Sequence, residues 1–251
     1  YFDVYEEGEE LSPTAFADLL RRNFTHSIVT LGHLVLRENA LLRGPMIGVY
    51  AGLVNVTEGA GITTTGRGCP SGQGPGAGSG ATDDCAGGGA AHAGNGGFGL
   101  NKTAYADGKA VPCRSDNAMS YGGNDAETVS LGSGGGSTGV QNAGGAGGGL
   151  IYLTSNQLII DGDLSSSGAN PGQGVNDAGG GAGGTVQLET YYFKGNGTIE
   201  AAGGLAAPQQ ALGGAGSGGR IRIRRIEWTN ETYLNEWSDN QEIFNLNVSG
   251  G

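Results

Sequence analysis

The residues of this chain that could carry chemistry are few, and their spacing is poor. His26, His33 and His92 are the only imidazoles in 251 residues. His26 and His33 stand seven apart in strand-like sequence, where alternation puts them on opposite faces, and His92 sits alone among glycines. No metal-ligand spacing results, and three cysteines without a Cys-x-x-Cys pair make no zinc site. Asp83 and Asp84 are adjacent, so an extended backbone splays them apart and denies the facing carboxylates that glycoside cleavage needs. Gly135, Ser137 and Gly139 match G-x-S-x-G, but inside a glycine tract and not on the strand-to-helix turn that exposes a nucleophile. Gly134, Gly136 and Gly139 fail as a dinucleotide fingerprint for the same reason. The run YGGND at 121–125 misses the calcium nonapeptide, and the threonines at 63–65 have no counterpart one repeat later. The chain reads as a non-enzyme with no catalytic residue, no metal and no cofactor.

Modification is the chemistry the residues do support. Six Asn-x-Ser/Thr triplets occur, at Asn23, Asn55, Asn101, Asn196, Asn230 and Asn247, where chance placement would give about two. That excess predicts N-linked glycans and a secreted, cell-surface location. Cys69, Cys85 and Cys113 cluster in the least regular part of the chain, which in a secreted protein suggests a bridge. Cys69 to Cys85 would staple a glycine-rich loop, leaving the third thiol free or paired with another chain.

Charge narrows the partners. The formal net charge is −11. Five acidic residues lie in the first ten (Asp3, Glu6, Glu7, Glu9, Glu10) and five in the C-terminal tail (Glu227, Glu231, Glu236, Asp239, Glu242). Phosphate backbones are bound through Lys and Arg, so nucleic acid is not an expected partner. No apolar run reaches membrane-spanning length, so no membrane insertion is expected. The chain begins without Met or a leader, from which we expect a processed or partial product of a longer secreted polypeptide.

The elements that position these residues follow one repeat. GGLIYL at 148–153, GGTVQL at 183–188 and GGRIRI at 218–223 are each offset by 35 residues, and Leu158, Leu164 and Gly168 fall over Phe193, Ile199 and Gly203. A fixed period with apolar positions in register marks a stacked-repeat architecture. Residues 49–66 match 151–168 at an offset of 102. Each unit predicts three short strands, about 150–155, 157–161 and 163–167, with Ile151, Leu153, Leu158, Ile160 and Leu164 inward and Tyr152 and Thr154 outward. Gly is 54 of the residues and Pro only 7. Because the glycine runs keep phase with the strands, they read as ordered extended or polyproline-II-like returns that pack backbone on backbone.

The expected fold is therefore all-β: a glycine-rich parallel β-helix forming one domain over 1–251. Residues 1–26 give an exposed acidic arm and a short capping helix from Pro13 to about Arg22, begun by Ser12 as N-cap. Residues 27–226 form the repeat body, with an irregular Cys- and Gly-rich middle at 69–149, and 227–251 a cap or junction tail. Arg220, Arg222 and Arg224 alternate with isoleucines as a cationic outer face. With Glu6, Glu7, Glu9 and Glu10 they are candidates for contacts between copies.

The runs GGGAAHAGNGG at 87–97, SYGG at 120–123, GGGLIYLTSNQLIIDGDLSSSG from 147 and the closing GGRIRI resemble the glycine-rich β-helix repeats of large secreted surface proteins. Such proteins belong to cell-surface fibres, flagellar hairs (mastigonemes) and glycan-coated filaments. The resemblance covers about 28–226. It implies a structural protomer of a glycosylated extracellular filament, partnered by copies of itself through head-to-tail contacts. The alternatives are a monomeric surface module for adhesion, carbohydrate or ice and, third, a polysaccharide-acting enzyme.

Overall fold

The computed structural model describes residues 2–5, 26–30, 32–113, 118–122, 130–138, 143–172, 177–206, 212–225 and 245–247. Twelve strands and one short helix occur among them. The strands are β1 (Phe2–Tyr5), β2 (His26–Val29), β3 (His33–Leu36), β4 (Leu41–Arg43), β5 (Met46–Val56), β6 (Gly61–Thr63), β7 (Leu150–Ile160), β8 (Asp163–Ser165), β9 (Thr185–Lys194), β10 (Thr198–Glu200), β11 (Arg220–Arg225) and β12 (Asn245–Asn247). The helix is α1 (Lys102–Ala106).

They form two sheets. The large one runs β1-β3-β5-β7-β9-β11, with β2 also on β5; the small one runs β12-β10-β8-β6-β4. Every pairing is parallel except that of β1 with β3. The chain thus adds one long and one short strand at a time, alternating between the sheets.

The 35-residue offset is the register itself. Leu150 pairs with Thr185, Leu158 with Phe193, and Thr185 with Arg220; Leu164 pairs with Ile199. In-register parallel pairing stacks like on like, which is why the repeat was legible. The 102 offset holds only in the small sheet, where Ile62 meets Leu164. In the large sheet Val49 meets Leu153 and Val56 meets Ile160, an offset of 104. The turn between β5 and β6 carries two more residues than the turn between β7 and β8. A slip of two keeps every side chain on its face.

Three expectations are corrected. The parallel β-helix with three strands per repeat is overturned: the described residues build two parallel sheets, and the glycine-rich third limb contributes no strand. The predicted strands at 150–155 and 157–161 are one strand, β7, whose core-facing parity flips at Asn156, where the ladder skips a pair. The N-terminal arm includes a strand, since Phe2 pairs with Leu36 and Tyr5 with His33. The capping helix at 13–22 lies outside the described residues.

The core sits between the sheets. Ile47, Val49, Val54, Ile62, Ile151, Leu153, Leu158, Ile160, Leu164, Val186, Leu188 and Ile199 are fully buried. Each contributes about 1.5–3 kcal/mol through the apolar surface it removes from water. Tyr152 and Thr154, on the outer face by alternation, are nevertheless only 6% and 5% exposed.

The glycine tracts make a second kind of interior. Residues 132–136 exchange backbone hydrogen bonds with Gln73, Gly88, Gly145, Gly148, Gly179 and Ala182, at 2.8–3.0 Å. A strand in a sheet has two neighbours; this tract is bonded to four others. Backbones come so close that a Cβ on Gly136 would stand 1.8 Å from the Ser79 carbonyl oxygen. At such glycine positions a side chain is excluded by contact distance, whereas Ser133 points its hydroxyl to Tyr121.

Candidate functional site

The two ends of the sheets are the first candidate. At one end the large sheet finishes in β11 and the small sheet in β12; at the other the terminal strands are β2, β3 and β4, with β1 laid on β3. The core column Ile28–Val49–Leu153–Leu188–Ile223 follows from successive pairings. Its middle members are fully buried, whereas Ile223 is 39% exposed and Ile28 half-buried. Ile221 is half-buried beside it. Apolar side chains of the core thus surface where the stack of strands stops. A parallel edge with apolar residues at core positions is a template for another strand.

The arginine face splits on inspection. Arg222 and Arg224 stand opposite Gln187 and Glu189, and Arg224 Nη1 lies 4.0 Å from Glu189 Oε1. Glu189 also accepts from the Tyr152 hydroxyl at 2.9 Å and from Gln187 Nε2 at 2.8 Å. Arg220 is different. Its Nη2 donates to the Tyr121 and His92 carbonyl oxygens, and burial lowers its pKa. It braces the glycine tracts. Glu6, Glu7, Glu9 and Glu10 lie outside the described residues.

Around Arg220 is a polar cluster that the sequence did not announce. His92 is fully buried; its Nδ1 is 2.6 Å from the Gly183 carbonyl and its Nε2 2.7 Å from Ser130 Oγ. A carbonyl only accepts, so Nδ1 carries the proton and Nε2 accepts from the serine. The Tyr121 ring lies 5.0 Å away, and its hydroxyl donates to the Leu131 carbonyl while accepting from Ser133 Oγ at 2.9 Å. Burial above all, helped by the nearby Arg220 charge and opposed by the Gly183 and Gly184 bonds, pulls the His92 pKa from 6.5 to about 4. A neutral imidazole bridging three distant segments is a tie. Its partners are 38 and 91 residues away in sequence, which hid it. The visible signal was a bulky polar residue in a run of Gly and Ala.

The thiols pair as Cys85–Cys113, with Cys69 free and half-buried. The expected Cys69–Cys85 staple is therefore corrected. The reason is local folding: Ala86 N–H donates to Leu100 and Cys113 N–H to Gly99, which brings residues 85 and 113 together around α1. Burial raises the Cys69 pKa, so this thiol is a weak nucleophile. Asp83 and Asp84 are exposed, and Ser137 lies on an irregular glycine tract. His26 pairs with Ile47 and His33 with Leu53. No group of three metal-ligating side chains occurs among the described residues.

Of the sequons whose burial is described (Asn55, Asn101 and Asn196), Asn196 is the most open. It is exposed at the turn between β9 and β10. Asn101 caps α1, its Oδ1 accepting from Ala104 N–H at 2.8 Å, and Thr103 beside it is exposed. That bond engages the oxygen and leaves the amide nitrogen for a glycan. Asn55 is mid-strand between Val35 and Ile159, with a buried Oδ1 that has no hydrogen-bond partner among the described residues. Asn247 lies in β12. Asn23 and Asn230 fall outside the described residues.

No family model, no curated protein and no solved structure matches this chain. Among the described residues no helix is long and apolar enough to cross a membrane.

Proposed function

We propose that this chain is a structural protomer of a glycosylated extracellular filament or surface appendage, joined to copies of itself. The observation that carries this reading is the exposed apolar edge: β11 ends the large parallel sheet with Ile223 uncovered at a core position. Proteins that remain monomeric blunt such edges with short strands, bulges or inward charges. Here Ile221 and Ile223 hold inward positions with Arg222 and Arg224 outward, and one charge, Arg225 at the end of the strand opposite the buried Thr190, falls at an inward position. The exposed Asn196 sequon supports a sugar coat on the sides, away from the edge strands. The buried ties around His92 and the backbone-bonded glycine tracts fit a load-bearing part with no moving piece.

Electron microscopy of the glycosylated protein tests the reading. Filaments are the expected outcome. Discrete monomers at high concentration would replace it with the monomeric surface-module reading. Loss of mass on enzymatic removal of N-glycans, mapped to Asn196 and Asn101, tests the coat independently.

A further inference from the structure

Among the described residues, both sheets end in parallel strands except where β1 lies antiparallel on β3, and this allows the junction between copies to be specified. We infer that β11 of one copy takes β2 of the next as its outer neighbour, continuing the large sheet in parallel and in the same register. The inference rests on the filament reading above and adds the strands, their direction and their pairing.

Direction comes first. β2, β5, β7, β9 and β11 all run parallel. A second copy shifted along the stacking direction without rotation presents β2 to β11 in parallel. Two β11 edges meeting about a twofold axis would instead run antiparallel. Register comes second. β2 pairs with residues 47–50, and the same positions passed through β7 and β9 reach 221–224. Continuing the ladder sets His26 opposite Ile221, Ser27 opposite Arg222, Ile28 opposite Ile223 and Val29 opposite Arg224. The two half-covered isoleucines, Ile28 and Ile223, then complete one core column across the junction. No like charges meet.

The small sheet supports the same displacement. β12 lies one level beyond β10, as β11 lies one level beyond β9, and β4 is the terminal strand at the opposite end. The shift that sets β2 on β11 sets β4 on β12, with Leu42 at the position of Leu246. Leu41 in β4 is 54% exposed, an uncovered apolar residue on that edge. The antiparallel β1 does not obstruct. It lies over β3, aligned with residues 53–56, whereas β11 spans the positions of 46–51. The two projecting strands occupy different halves of the strand length.

Cysteine cross-linking of the full glycosylated chain in a Cys69→Ser background tests this. Ser27 and Arg222 are four strand spacings apart within one copy, about 19 Å, too far for an internal disulfide. With Ser27→Cys and Arg222→Cys together, we expect a ladder of disulfide-linked multimers that reduction collapses. Arg222→Cys alone should stay monomeric on the same gel. Dimers from that single variant would show β11 meeting β11 and overturn the proposal. Filaments in the microscope without a ladder would overturn this junction and leave the filament reading standing; absence of filaments from the unmodified chain would remove both. As a second variant, Ile223→Glu buries an unpaired charge in the junction and should raise the concentration needed for assembly by ~100-fold, with the circular dichroism of the monomer unchanged. Unchanged assembly by that variant would also overturn the pairing.

Discussion

One repeat builds two interiors by opposite means. Between the sheets, Ile151, Leu153 and Leu158 fill space and exclude water. In the glycine tracts there is nothing to fill, because carbonyl oxygens occupy the positions that side chains would take. The first interior is held by apolar area and the second by hydrogen bonds between backbones with little else. Glycine loses the most backbone freedom on ordering, so the second must satisfy nearly all of its polar groups to persist. The contrast separates two meanings of a small residue in a repeat: a gap in the sheets, an obligation in the tracts.

The comparison can be broken from either side. Leu153→Ala opens a cavity in the centre of the sheets and should cost about 4 kcal/mol in denaturant unfolding. Gly136→Ala adds a single methyl, yet places it 1.8 Å from the Ser79 carbonyl oxygen and should cost about 3 kcal/mol or more by the same measurement. A control sharpens it: Gly108→Ala meets no atom within 4 Å, and only its φ of 76° opposes it, a cost of about 1 kcal/mol. If Gly136→Ala matched that control, close packing of the tracts would be wrong.

Acid should loosen the seam between the interiors. The folded protein holds His92 neutral down to about pH 4, whereas the unfolded chain takes up the proton near 6.5. Between these values the unfolded state binds more protons, so stability is full above about pH 6.5 and declines as pH falls toward 4. At about 1.36 kcal/mol per pH unit the whole interval amounts to ~3 kcal/mol. Comparing midpoints of denaturant unfolding at pH 7 and pH 4.5, for the parent and His92→Gln, checks it; the variant should lose most of the difference contributed by this site. The smallest effect is expected at Asn196→Gln. Exposed at a turn, it should leave stability within about 0.5 kcal/mol and remove one glycan's mass in intact mass spectrometry.

Legibility followed the same division. The pairing of Leu158 with Phe193 was visible because a parallel ladder repeats its side-chain types at the repeat period. Where the ladder skips Asn156, hydrophobic pattern alone could not tell one bent strand from two. The glycine tracts keep phase but carry no side-chain code, so their four-neighbour bonding was not written in any local motif. The cluster at His92 and the Cys85–Cys113 bridge depend on how those tracts lie beside one another, and stayed hidden with them. Arg220 misled for a related reason: its alternation with isoleucine is that of the strand, while its guanidinium reaches back to the tract carrying Tyr121.

The four-neighbour bonding of residues 132–136 also bears on folding. Gly88, Gly136 and Gly179 join through successive hydrogen bonds, although each is more than forty residues from the next. Closing loops of that length has an entropic cost that a glycine chain cannot offset with any local contact. The sheets offset their own closure, 104 residues from Val49 to Leu153, by burying apolar side chains, a return the tracts lack, so Gly136→Ala is expected to speed unfolding and leave the folding rate unchanged in stopped-flow measurements.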